Sequence, residues 1–301
     1  MRVSNNMTVL NTISNLQQSI REIAGLQQEI SSGQKMRQIS DDPANLWKVI
    51  SIRQNLASQD QYGGNIEDGI SWLNEADSAF DSANQIMQSA IDAALSASST
   101  GHNSSDFETY ALKVDNLIDQ LVIVANTQVQ GRYIFSNSKG KQPFIRQDPG
   151  GGEEVNVNPS ITDTIFYEST REVLPQVSET VSFNGQSLFI DSDVFTHLFD
   201  LKDALKANDS SAVNAQIENL TDDQDLFIQS RSEAGTQINR LEMIKTFIED
   251  QNAVLQNTLA GLQSTDLEMA TTELASRMLT YQAALSCTAK VLQISLLDYL
   301  S

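Results

Sequence analysis

One cysteine (Cys287), two histidines (His102 and His197) and five prolines are spread over 301 residues. A lone thiol excludes an internal disulfide and any multi-cysteine zinc site. Two histidines leave little from which to build a histidine-based metal cluster. Aromatic residues make up 6% of the chain, which predicts a thin, aliphatic core. Long apolar runs are missing as well: the longest covers residues 121–125, far short of the ~18 or more that a membrane-spanning helix needs. The opening MRVSNNMTVL has no apolar core ahead of a small-residue cleavage site, so no Sec-type leader is expected. Such a chain stays in the cytoplasm or leaves by another route. Basic residues are scarce too, with 19 Lys and Arg against 39 Asp and Glu, a net charge of −20. That balance argues against a phosphate-backbone binder, which needs cations to displace counterions, and against docking on an anionic membrane.

What is present is unevenly placed. Residues 1–60 carry a net charge of +1, residues 61–230 a net of −18 and residues 231–301 a net of −3. Like charge is tolerated where water screens it and penalised where many copies pack together. The near-neutral ends therefore read as surfaces for burial among other chains, and the acidic middle as solvated. Proline divides the chain the same way: Pro143, Pro149, Pro159 and Pro175 cluster in the centre, and only Pro43 lies elsewhere. The flanks are free to form long helices, while residues 140–190 are not. Short β-type runs at 133–135, 155–157, 164–167 and 181–183, with Asn184-Gly185 as a hairpin signal, predict a small β-rich insert.

In the N-terminal flank Val3, Met7, Leu10, Ile13, Leu16, Ile20, Ile23, Leu26 and Ile30 recur every three or four positions, one stripe of a helix. Near the C-terminus Met278, Leu285, Leu292 and Tyr299 stand seven apart, the spacing of a coiled-coil seam. Few charges lie near either stripe, so the two can pair without stranding an ion. Ile13, Leu16, Ile20, Ile23, Met278, Leu285, Leu292 and Tyr299 are the candidate interaction residues. Further helices are predicted over about 44–59, 66–98, 106–129 and 222–262. Ser40 or Asp41 would cap the first with Pro43 in its opening turn, and Thr221 with Gln224 forms a capping-box pattern for the last. The fold class is mainly α, with long antiparallel helices and a small β-rich insert.

Nothing in the pattern carries chemistry. His102 sits in a Ser/Asn/Gly loop that supplies no fixed nucleophile or buried orienting carboxylate. His197, between Phe195 and Leu198, reads as a packing residue. The glycines at 150–152 follow Asp148-Pro149 and precede Glu153-Glu154, a turn rather than a phosphate cradle. Asp222, Asp223 and Asp225 read as helix-start carboxylates complementing the macrodipole rather than as ligands of a divalent ion. Cys287 lacks a basic neighbour and reads as a small buried residue. No catalytic, cofactor-binding or metal-binding residue is expected.

The flanks resemble a known family. Ser31-Ser32-Gly33 followed by Ser40-Asp41-Asp42-Pro43-Ala44, then Gln61-Tyr62, Asn65-Ile66, Gly69-Ile70 and Leu73, is similar to the N-terminal region of the flagellin superfamily of flagellins and flagellar hook-associated proteins. Gly235, Asn239-Arg240-Leu241 and the closing Ser295-Leu296-Leu297-Asp298-Tyr299-Leu300 are similar to its C-terminal region, so the resemblance covers about residues 1–140 and 195–301. Within the superfamily, the opening Met1-Arg2-Val3-Ser4, Pro43, the run Gly131-Arg132-Tyr133-Ile134-Phe135 and the SLLDYL ending resemble the hook–filament junction branch; a minor flagellin is the alternative.

The resemblance implies a non-enzymatic subunit of the bacterial flagellum, exported unfolded by the flagellar type III apparatus and delivered outside the cell. It implies a ring-forming homo-oligomer between hook-associated protein 1 and flagellin, with an export chaperone as partner before secretion. It implies three domains: an inner coiled coil of residues 1–43 with 264–301, disordered in the monomer; a helical rod of 44–139 with 193–263; and an outward-facing variable domain at 140–192.

Overall fold

The computed structural model of the chain describes residues 2–35, 43–99, 104–136, 138, 140–148, 153–159, 166 and 169–300, with backbone only at 2–6, 8–9, 43–44 and 290–300. In chain order these form α1 (Arg2–Ser32), α2 (Pro43–Ser98), α3 (Ser104–Ala125), β1 (Gln128–Val129), β2 (Arg132–Tyr133), β3 (Phe144–Gln147), β4 (Glu154–Val157), β5 (Thr170–Leu174), β6 (Val177–Thr180), α4 (Gly185–Phe189), α5 (Val194–Lys206), α6 (Ser210–Gln263) and α7 (Leu267–Leu300). Ser40 and Asp41 as caps, His102, the glycines at 150–152 and most of the 164–167 run lie outside the described residues. The chain divides into two compact units: residues 1–57 with 251–301, and residues 58–250. The first holds 8 Lys/Arg and 8 Asp/Glu, a net of zero; the second holds 11 and 31, the whole of the −20.

The helices are longer than the periodicity predicted. The two expected at 44–59 and 66–98 are one, α2, because Gly63 and Gly64 only weaken a helix that has no internal proline. The helix expected from 222 starts at Ser210, capped by Asp209, whose Oδ1 accepts from the backbone N–H of Ser211 at 3.0 Å and Ala212 at 3.1 Å. Thr221 is therefore mid-helix, and its hydroxyl donates back to the Ile217 carbonyl at 2.7 Å rather than capping anything.

The β content is three separate antiparallel hairpins, β1–β2, β3–β4 and β5–β6. Gln130 (φ 51°) and Gly131 (φ 77°) both take the positive φ that a two-residue type I′ turn requires between β1 and β2. Pro175 followed by Gln176 (φ 63°) turns β5 into β6, with the Gln176 N–H held by Glu172 Oε1 at 3.2 Å. Asn184-Gly185 is not a hairpin. Asn184 Oδ1 accepts from the Gln186 and Ser187 N–H groups and caps α4, and residues 181–183 are not a strand.

The core of residues 58–250 is not the thin aliphatic one the composition suggested. Phe80, Phe135, Phe144, Phe189 and Phe227 are all fully buried, in edge-to-face or tilted contacts such as Phe135–Phe189 at 5.2 Å and Phe189–Phe227 at 5.8 Å. Burying a Phe stabilises by about 1.5–3 kcal/mol, so a few rings contribute more than the same number of alanines. Alanines 76, 79, 83, 90, 93, 94 and 97 line the buried face of α2, where small side chains let α3 and the phenylalanines approach. A smaller apolar cluster joins Ile66 and Leu73 of α2 to Val173, Val181, Leu241 and Ile248. Asn126, just past α3, clasps β3: its side-chain amide donates to the Phe144 carbonyl at 2.9 Å and accepts from the Phe144 N–H at 3.1 Å.

Candidate assembly site

The unit of residues 1–57 and 251–301 is built on a pair of antiparallel helices, α1 and α7. Gly33 (φ 67°) closes α1 in the left-handed conformation, its N–H on the Glu29 carbonyl at 2.8 Å. The chain beyond it pairs with the link between α6 and α7. Lys35 N–H donates to the Gln263 carbonyl at 2.8 Å, Thr265 N–H donates to the Gly33 carbonyl at 3.0 Å, and Gln34 bridges Ser264 antiparallel. Asp266 caps α7 through the N–H groups of Glu268 and Met269. Thr265 Oγ1 donates to Glu29 at 2.6 Å and Arg277 to Glu22 at 2.9 Å, so residues descending α1 meet residues ascending α7.

This pairing covers little of the apolar surface. Leu16 and Ile23 are half-buried, while Ile13, Ile20, Met278 and Leu285 remain 44%, 48%, 42% and 42% exposed. Leu292 and Tyr299 lie in α7, their side chains outside the described residues. Met7, Leu10, Trp47, Val254, Leu267, Met269 and Leu279 are more open still. Among the described residues of this unit only Val49 and Ala270 are buried hydrophobics. Cys287 is exposed, not the buried packing residue expected from sequence. The α1–α7 pair thus leaves part of its apolar seam in solvent.

The acidic unit holds its polar groups in structural pairs. Lys202 of α5, 3% exposed, bonds Asp115 of α3 at 3.3 Å and also Glu153, and Arg146 of β3 bonds Asp115, Asp119 and Glu153. Both cations lie over the Phe199 ring, at 5.5 Å for Arg146 and 4.9 Å for Lys202. Hydrogen bonds from Lys202 and Arg146 pull the Glu153 carboxyl down to about 2. Burial works to raise the Asp115 carboxyl, yet the same two cations hold it below its ordinary range.

A second pair joins α5 to α6. Asp223 is buried in the middle of α6 rather than at a helix start, and its Oδ2 lies 2.9 Å from His197 Nδ1. The order His197…Asp223 offers no sequence signal, since 26 residues and a helix boundary separate the partners. No nucleophile is hydrogen-bonded to His197 among the described residues, so the pair orients nothing reactive. Among the described residues no three His, Cys, Asp or Glu side chains gather as a metal site, and no helix is long and apolar enough to cross a membrane. What the geometry offers is an uncovered, neutral, apolar surface in one unit and an acidic, well-packed core in the other.

Comparison with known proteins agrees on the class. Residues 3–140 match the bacterial flagellin N-terminal helical region. The flagellar hook-associated protein 3 of Salmonella typhimurium is 23% identical over 310 residues, covering 96% of this chain and 95% of its own. That of Escherichia coli is 24% identical over 267 residues, covering 83% and 84%. The structure of the flagellar junction protein FlgL from Legionella pneumophila superposes with a TM-score of 0.59 at 12% identity, over 72% of this chain and 100% of that one, a likeness of fold. These relatives are structural proteins rather than enzymes. These matches make the chain a flagellin-like structural component of the bacterial flagellum.

Proposed function

We propose that this chain is a hook–filament junction adaptor: a ring-forming subunit seated on hook-associated protein 1 and carrying the flagellin filament. The observation that carries this reading is the α1–α7 unit, which has no net charge and leaves large apolar side chains such as Met7, Leu10, Trp47, Met269 and Leu279 uncovered. Exposed apolar surface on that scale marks an interaction site, and its neutrality lets many copies pack without repulsion. The assembly seam is Ile13, Leu16, Ile20, Ile23, Met278, Leu285, Leu292 and Tyr299. Residues 1–43 with 264–301 form the inner domain and become ordered on assembly, residues 44–139 with 193–263 form the rod, and residues 140–192 face outward. Export is in the unfolded state, by the flagellar type III system with a chaperone, to the extracellular hook–filament boundary. A disulfide-free chain suits a narrow channel. The Legionella protein that shares the fold carries the name of a flagellar junction protein, which supports the adaptor.

A minor flagellin is the second reading, favoured by the match of residues 3–140 to the flagellin N-terminal region. Adding purified protein to isolated hooks that carry hook-associated protein 1 separates the two. An adaptor stops after a thin terminal layer from which added flagellin then grows; a flagellin builds long filaments alone, and that result would refute the adaptor.

A further inference from the structure

A cavity of about 220 Å3 lies where α2 meets the β1–β2 and β5–β6 hairpins, lined by Asp68, Trp72, Val129, Gln130, Arg132 and Arg171, all within residues 58–250. It is smaller than the ~300–1,000 Å3 typical of small-molecule sites, so it suits one side chain or a small anion rather than a cofactor. The lining donors are under-used. Trp72 is 6% exposed, and its buried indole N–H meets no acceptor among the described residues. An indole only donates, and a buried donor left unpaired is costly, so the missing group is an acceptor. The guanidinium of Arg132, presented by the type I′ turn at Gln130-Gly131, makes no hydrogen bond or ion pair with any described residue. Arg171 spends Nη1 on Ser169 Oγ at 3.0 Å and on the Thr170 carbonyl at 3.3 Å, and no described bond uses its other two nitrogens. Asp68, on the wall, pairs with neither guanidinium. Two cations against one anion make the cavity a positive point in a unit whose net charge is −20.

We propose that this cavity receives the carboxylate of an acidic side chain from a second copy of the chain. The inference rests on the assembly reading above. A unit with 31 Asp and Glu against 11 Lys and Arg repels its own copies, and packing them needs cationic sockets that accept the neighbour's acid. Arginine forks bind carboxylates bidentately, and the indole N–H supplies a further donor. The acidic side chain is the group that every neighbouring copy presents in greatest number.

The test uses the full chain layered on isolated hook ends, with a benzophenone amino acid in place of Gln130 as a photo-crosslinker. Irradiation is expected to give a covalent dimer of this chain in the layer and none in dilute protein. Arg132→Gln, with an unchanged thermal transition, is expected to raise the concentration that half-fills the layer about tenfold, and Arg132→Lys by less. Crosslinks to flagellin or to the hook-side protein alone, or an Arg132→Gln protein that fills the layer at the wild-type concentration, would overturn the socket and leave the adaptor reading intact. A Trp72 indole resonance shifted by millimolar acetate in dilute protein, with no dimer crosslink, would make it a site for free carboxylates and overturn the second copy as occupant. A wild-type chain that forms no layer would refute the adaptor reading, and the socket with it.

Discussion

His197 Nδ1 in α5 stands 2.9 Å from Asp223 Oδ2 in α6, a half-buried imidazole against a carboxylate that is 4% exposed. Burial raises the Asp223 carboxyl above its ordinary value, and the hydrogen bond and charge of His197 oppose that rise only in part. A carboxyl raised by folding contributes stability in full below its unfolded value of 3.8 and loses it as pH rises through the folded one. The buried Asp223 carboxyl therefore depends on its hydrogen bond with His197. His197→Ala strands the carboxylate and is expected to lower stability by about 1–3 kcal/mol in urea unfolding at pH 7. Asp223→Asn should cost less, and His197→Ala added to it should cost little more. Equal losses from His197→Ala in both backgrounds would mean that the pair is not coupled.

Glu153 gives the opposite sign. Its carboxyl falls from 4.5 to about 2 when folded, through Lys202 and then Arg146, so its contribution is present above pH 4.5 and lost as pH falls toward 2. Glu153→Gln should flatten the decline of the urea midpoint between pH 5 and pH 2.5. A decline as steep as that of the wild type would assign the acid limb to other carboxylates.

Gly185 opens α4 against the chain at Phe135. A Cβ there would stand 2.5 Å from the Phe135 carbonyl oxygen and 2.7 Å from Phe135 Cβ, neither of which is a flexible side-chain tip. Gly185→Ala is expected to destabilise by about 1–3 kcal/mol or more through overpacking. Gly235→Ala, inside α6 with nothing within 4 Å of the new methyl, should be neutral or stabilise by up to about 1 kcal/mol. Denaturant midpoints for the two variants check the contrast.

The parts of the fold readable from sequence are those set by local spacing. The stripe from Met7 to Ile30 is a helix, and residues 155–157 are in a strand. The Phe cluster escaped notice because Phe80, Phe135, Phe144, Phe189 and Phe227 belong to separate elements and meet only in three dimensions. Asn184-Gly185 misled because asparagine serves turns and helix caps by the same side-chain acceptor. The acidic run at 222–225 looked like a helix start because nothing local marks that Asp209 had already opened the helix. The cavity beside Trp72 joins three stretches of chain and has no linear pattern at all.

Leu285, 42% exposed in the lone chain, sits on the proposed assembly seam. Leu285→Asp should therefore alter the thermal transition of the monomer only slightly. In the assembled layer the new carboxylate would be buried without a partner, at a cost of several kcal/mol. Cells carrying it should release unpolymerised flagellin into the medium and fail to swim, whereas Asp203→Ala on the solvated face of α5 should leave motility unchanged. Full-length filaments on Leu285→Asp cells would remove α7 from the assembly seam.

The central claim, that this chain joins hook to filament rather than building the filament, is tested most directly by where it sits. Gold labelling of the chain on intact flagella, viewed by electron microscopy, should give a single narrow band at the hook–filament boundary. Label distributed along the filament would contradict the adaptor and make the chain a flagellin.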